Sequence, residues 1–205
     1  MLKLYYTPNT CALASHIALE QAGADYEAVR VDFASNEQRK PEFLKLNPAG
    51  LIPVIVDQDG PGGKPLTLAQ SGAIILYAAE KAGRFMPKDA HRRAMALQWF
   101  TQGLSDIAGT SGALFRVENS VPDKIPGNTE YFRKRLLDFF SVCDAHLADR
   151  EFLADEFSIA ELMLYPNYAL RKSLLDQAGG FAALHRWGTA VGSRPGIQKG
   201  MQVLG

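Results

Sequence analysis

Apolar positions in the first eighty residues switch between two periods. "LKLYY" is a short apolar run of the strand type. From Cys11 to Gln21 the apolar positions Leu13, Ile17 and Leu19 suit a helix, and Gly23 stops it. "YEAVRVDF" alternates at Tyr26, Ala28, Val29 and Val31 and reads as a second strand. "NEQRKPEFLKLN" is a short helix or an irregular segment, with Pro41 near its first turn, where proline is tolerated. "IPVIVD" is a β-branched buried strand. "GPGGKPLTL" supplies a Gly/Pro turn and a further strand, which predicts a hairpin. "AQSGAIILYAAEKAG" is a helix ended by Gly83. The order predicts a parallel first strand pair, an antiparallel hairpin and a small mixed sheet of four strands covered by helices.

The pattern changes after this region. Residues 1–82 read as an α/β domain, 83–89 as a polar linker and 90–205 as an all-helical bundle. "AMALQWFTQGLSDIAG", "YFRKRLLDFFSVCDAHLAD", "SIAELMLYPNYALRKSLL" and "GFAALHRWGTAVG" carry helical periodicity. "GTSGALFRVENSVPDKIPGN" is rich in glycine and proline and reads as an irregular loop. In "EFSIAEL", Ser158 and Glu161 have the spacing of a capping box, with Phe157 and Leu162 placed as a hydrophobic staple. Pro166 falls inside the helix that follows and predicts a kink.

Composition narrows the function classes. Acidic and basic residues balance at 22 each in 205 residues, which argues against a broad nucleic-acid-binding face. The two cysteines, Cys11 and Cys143, suit neither a disulfide framework nor a cysteine-built metal site. The start "MLKLYYTPNT" has no signal-peptide pattern, and no apolar run approaches the ~20 residues of a membrane span. A soluble cytoplasmic protein, with no nucleic-acid or membrane partner and no metal, is the expectation.

Three local features bear on chemistry. Cys11 opens the first helix, where amides and the helix dipole favour a thiolate; a lone cysteine among apolar residues is equally a packing residue. Pro53 directly precedes a strand. A cis Ile52–Pro53 bond would turn the Ile52 backbone outward to pair with an extended peptide, whereas a trans bond merely starts the strand. Ser71, at the start of the third helix, is an ordinary cap or, with the free amides after it and Gln70 before it, a carboxylate site. Taken together, the three describe a site for a small, extended, acidic peptide.

The strand and helix order is thioredoxin-like. With "GLIPVIV", "AQSGAIILY" and the capped "FSIAELMLYP", the whole chain resembles the cytosolic glutathione transferases. "LYYTPNTCALASHIAL" is similar to the bacterial beta class in Tyr6 and Cys11, while "TPN" and "RKPEFLKLNPAGLIPVIVD" resemble the Nu class, which matches at Thr7 and Asn9. The resemblance implies glutathione as co-substrate, bound by Gln38, Lys40, Leu51, Ile52, cis Pro53, Gln70 and Ser71. It places Tyr6, Thr7, Asn9 and Cys11 near the glutathione sulfur and implies a homodimer. Trp99, Phe115, Met163 and Tyr168 are candidates for an apolar second-substrate pocket or for plain helical core. Where beta-class members carry a His-Lys pair, this chain has "FTQGLSDIAGTSGALF" with Ser105 and Asp106, so that mechanism does not transfer whole.

Hydrogen-bond donors around the sulfur would lower the pKa of the glutathione thiol, and the thiolate would attack an electrophilic carbon. It would instead attack a disulfide or peroxide in a reductase, with Cys11 forming a mixed disulfide; the fourth position of a C-x-x-C motif is Ala14, so no resolving thiol stands nearby. A third reading is a glutathione-binding regulatory protein without catalysis.

Overall fold

The computed structural model describes residues 1–204, leaving out the Leu204 side chain. It divides into two units, each built around its own core. One comprises Met1–Arg84 together with the segment from Arg194 onward, the other Phe85–Ser193.

The first unit holds a four-stranded sheet. Its elements are β1 (Leu2–Tyr6), α1 (Ala12–Ala22), β2 (Tyr26–Arg30), α2 (Pro41–Leu46), β3 (Val54–Asp57), β4 (Leu66–Ala69) and α3 (Ser71–Ala82). The strand order is β2-β1-β3-β4, with β1 parallel to β2 and antiparallel to β3, and β4 antiparallel to β3. The mixed sheet expected from the pattern is therefore present. Leu4, Leu13, Ile17, Ile55, Ile74 and Ile75 are fully buried. Gly23 and Gly83 end α1 and α3 in the left-handed conformation, where a side chain would be strained. One buried acid ties the hairpin to α3. Asp57 accepts from Tyr77 at 2.6 Å and Lys81 at 2.5 Å. Burial pushes the Asp57 carboxyl up, but these bonds and one from the Asp59 amide outweigh it and hold it below the usual range.

The second unit is helical: α4 (Ala90–Gln102), α5 (Gly109–Asn119), α6 (Pro126–His146), α7 (Ile159–Ala178) and α8 (Ala182–Gly192). A π-helical turn, Gly103–Ala108, joins α4 to α5. The stretch read from sequence as an irregular loop over 109–128 is thus corrected: its first half is α5. Leu114, Thr110 and Ser111 are buried there, and Arg171 on α7 donates to the Ser111 hydroxyl and carbonyl at 2.8 and 2.7 Å. Tertiary contacts outweigh the low helix propensity of its glycines. Only the stretch around Pro122 stays irregular, and Pro126 opens α6 at a position suited to proline.

The capping box at α7 is complete. Ser158 Oγ accepts from the Ala160 amide, and the buried Glu161 carboxylate accepts from the Ser158 amide, the Ser158 hydroxyl and the Leu153 amide. Pro166 lies within α7. The next helix, α9 (Pro195–Met201), is read from sequence as part of the helical bundle, yet it packs on α1 in the first unit. Among the described residues, no helix is long and apolar enough to cross a membrane.

Candidate functional site

Sheet pairing gathers the three sequence features at one end of the first unit. Tyr5 pairs with Val54, and Val54 pairs with Ala69. The residues just beyond those pairs are Tyr6 and Thr7, Pro53 and Ile52, and Gln70 and Ser71. The exit of β1, the entry of β3 and the start of α3 are therefore neighbours.

The loop from Thr7 to Cys11 carries β1 into α1. Thr7 Oγ1 donates to the Val31 carbonyl at 2.8 Å. That bond ties the loop to the residue just after β2. Asn9 is exposed with φ 58°, a left-handed conformation that asparagine tolerates better than most residues. Thr10 was not singled out in the sequence. Its hydroxyl donates to the Thr7 carbonyl at 2.6 Å and accepts from the Ala12 amide at 3.3 Å. A threonine two residues before the first helical residue is the signal that would have found it. Cys11 is the N-cap and is exposed. Its Sγ lies 3.5 Å from the Ile52 carbonyl oxygen. Tyr6 packs against a cluster of Ala12, Val31, Phe43, Ile52 and Val54.

The Ile52–Pro53 peptide bond is cis. Asn47 shapes the approach to it, donating to the Leu51 carbonyl at 2.6 Å and accepting from the Ala49 amide at 3.2 Å. The Leu51 side chain is exposed. Gly50, at φ +64°, is held against the segment before α2: a Cβ there would fall 2.9 Å from the Gln38 carbonyl and 2.8 Å from the Arg39 guanidinium. The Gln38 side-chain oxygen is buried with no hydrogen-bond partner, whereas Lys40 is exposed and pairs with Glu37 at 3.4 Å.

Gln70 sits at φ 77° and ψ 120°, rarely adopted by a residue with a side chain. Its side chain is exposed and does not cap α3. Ser71, Gly72 and Ala73 form the first turn of a twelve-residue helix with no side-chain cap, which suits an incoming carboxylate.

The residues named for a second substrate lie in the helical unit. Trp99, Met163 and Tyr168 are inside its core, at 5, 1 and 4% exposure, while Phe115 is at the surface. Trp99 lies against the His146 ring, and Tyr168 packs on Trp187. Burial explains this: within that unit the three side chains serve as packing. Cys143 is also core, and burial pushes its thiol up to about 12. No group of three or more metal-ligating side chains occurs among the described residues.

Residues 1–80 match the model of the glutathione S-transferase N-terminal domain. The chain is 32% identical over 198 residues to the disulfide-bond oxidoreductase YfcG of Escherichia coli strain K12, covering 95% of this chain and 92% of that one. It is 31% identical to a zeta-class glutathione S-transferase of Euphorbia esula over 98% of its length and 89% of the relative. A solved glutathione transferase from Pseudomonas putida, with one glutathione disulfide bound per subunit, superposes with a TM-score of 0.88 at 32% identity, covering all of this chain and 92% of its own. Likeness of this extent in both sequence and fold reaches far beyond the N-terminal domain: the chain belongs to the glutathione S-transferase family.

Proposed function

We propose that the protein binds glutathione at the end of its sheet and uses the glutathione thiolate in thiol–disulfide exchange, reducing small disulfides. The observation that carries this reading is the 3.5 Å separation of Cys11 Sγ from the Ile52 carbonyl. Glutathione laid with its γ-glutamyl carboxylate on the first turn of α3 and its cysteinyl backbone along Ile52 brings its sulfur to the Asn9–Cys11 loop. Asn9, with its exposed amide, and Tyr6 are the candidate donors to that sulfur; Gln38, Lys40 and Leu51 lie on the glycyl side.

Exchange is favoured by the name of the bacterial relative and by the disulfide held in the Pseudomonas putida structure. The thiolate attacks one sulfur of the substrate disulfide, forming a glutathione mixed disulfide and releasing one thiolate. A second glutathione thiolate then attacks the glutathione sulfur, yielding glutathione disulfide and the second substrate thiolate. The substrate gains two electrons and two glutathiones supply them. Cys11, exposed at a helix start, is placed to take the same mixed disulfide in place of substrate.

The zeta-class relative favours a second reading, conjugation, in which the same thiolate attacks a carbon electrophile. One assay separates the two: glutathione-dependent turnover of hydroxyethyl disulfide compared with that of an aryl halide. Turnover of the halide alone would overturn the exchange reading. Failure to bind immobilised glutathione would overturn both. The same reading carries a cytoplasmic homodimer, checked by light scattering.

A further inference from the structure

α1 has buried side chains along most of its length, and His16 is one of them, with 0% exposure. A buried imidazole costs free energy unless its nitrogens are satisfied. Here three other polar side chains serve it. The Tyr26 hydroxyl lies 3.0 Å from His16 Nδ1 and donates to Glu20 Oε1 at 3.0 Å. Glu20 Oε2 pairs with Lys199 at 2.7 Å. Lys199 is brought there by α9, which lies backbone to backbone on α1. A Cβ at Gly200 would fall 2.7 Å from the Ile17 Cα, and one at Gly196 would fall 3.0 Å from the Gln21 Cα.

The proton count along this relay is determined. Tyr26 has one hydroxyl proton, and Glu20, ion-paired with Lys199, takes it. His16 Nδ1 must therefore donate to the Tyr26 oxygen, which leaves Nε2 as a bare lone pair, buried and without a partner. Burial also lowers the His16 pKa to about 4, so the ring is neutral near pH 7. The ring stands perpendicular to that of Tyr6, at 4.5 Å between centroids. Tyr6 in turn packs in the cluster that contains both Ala12 and Ile52.

We propose that His16 is a positioning residue for the glutathione site: locked as the Nδ1–H tautomer by Tyr26, Glu20 and Lys199, it fixes the Tyr6 ring, and through Tyr6 the spacing between the Ala12 and Ile52 segments. A leucine or phenylalanine would fill the same volume without the buried orphan nitrogen. What the imidazole adds is a hydrogen bond that sets its ring plane, and hence the face it gives to Tyr6. The proposal rests on the glutathione-binding reading of the site. It goes beyond that reading by giving α9, remote in sequence, a part in that site.

Glu20→Gln tests it. Lys199 keeps the amide oxygen, so the NH2 group turns to the Tyr26 oxygen and frees the hydroxyl to donate to His16 Nδ1. Imidazole nitrogen NMR is expected to show protonated Nδ1 and bare Nε2 in the wild type, and the reverse in Glu20→Gln. Reduced glutathione, titrated calorimetrically, is expected to bind this variant as it binds the wild type, because the Tyr26 bond to Nδ1 is reversed in direction but still sets the ring plane. His16→Phe removes that bond. It keeps a ring against Tyr6 but loses the hydrogen bond, and is expected to weaken glutathione binding about three- to tenfold while its circular dichroism stays that of the folded protein. A wild type with protonated Nε2 overturns the proposal. So does unchanged affinity in His16→Phe. A wild type that shows the Nδ1–H tautomer but binds no glutathione overturns the reading of the site itself, and the positioning role with it.

Discussion

The Cys11 thiol donates toward the Ile52 carbonyl across 3.5 Å, joining the start of α1 to the residue before the cis-proline. A sulfur delivered along Ile52 therefore arrives beside a second sulfur. Incubation with glutathione disulfide is expected to add one glutathione to the intact mass, and Cys11→Ser is expected to lose the adduct. A wild type that gains no mass removes Cys11 from the exchange.

The two thiols differ in kind. Cys11 is exposed, whereas Cys143 is buried with its pKa pushed up to about 12. Iodoacetamide applied to the native protein at pH 7.5 is expected to label Cys11 alone, with Cys143 labelled only after denaturation. Peptide mass mapping reads the outcome.

Asn9 combines a left-handed backbone with an exposed amide, and two substitutions separate these roles. Asn9→Gly keeps the backbone conformation and deletes the amide. Its stability is expected to stay within about 0.5 kcal/mol, while kcat with hydroxyethyl disulfide falls about 100-fold, the low end of the range for losing a donor to a developing anion. Asn9→Ala is expected to lose the same activity and, because alanine tolerates this φ less well, about 1 kcal/mol of stability as well. Full activity in Asn9→Gly would show that only the backbone matters.

Gln70 holds a conformation that costs on the order of 1 kcal/mol. Gln70→Gly is expected to raise the thermal midpoint slightly while weakening glutathione binding severalfold, since the amide beside the α3 carboxylate site is lost. Both quantities are measurable on one preparation. A gain in stability with no loss of affinity would remove Gln70 from the binding site.

Stability should fall in acid for a reason traceable to His16. Burial lowers its pKa from 6.5 to about 4. Between those values the unfolded chain takes up a proton that the folded chain refuses. The contribution is therefore fully present above pH 6.5. It is lost at about 1.4 kcal/mol per pH unit on going down, roughly 3 kcal/mol in all, and levels off below pH 4. Urea unfolding at pH 7 and pH 4.5 measures it, and His16→Phe is expected to flatten that part of the profile.

The sheet and the capping box were legible because their signals are local: period-two strands, a Gly/Pro hairpin turn, a serine three residues before a glutamate. The clustering of Cys11, Ile52 and Ser71 is also readable, since each stands at or just before the start of an element and parallel–antiparallel pairing brings those starts to one end. Two things escaped. Residues 109–119 look like a loop because Gly109 and Gly112 lower helix propensity, yet Arg171, some sixty residues away, holds Ser111 in a helix. The partner of the Thr7 hydroxyl, the Val31 carbonyl just after β2, is visible only in the fold. Propensity and motif spacing carry no information about such distant partners.

Because α9 packs on α1, the first unit is discontinuous and the helical unit is an insertion between its two parts. On the ribosome, the backbone groove at Ile17 and Gln21 stays uncovered until all of Phe85–Ser193 has been made. The first unit therefore cannot close before the helical unit is synthesised, which ties completion of the candidate site to completion of the fold.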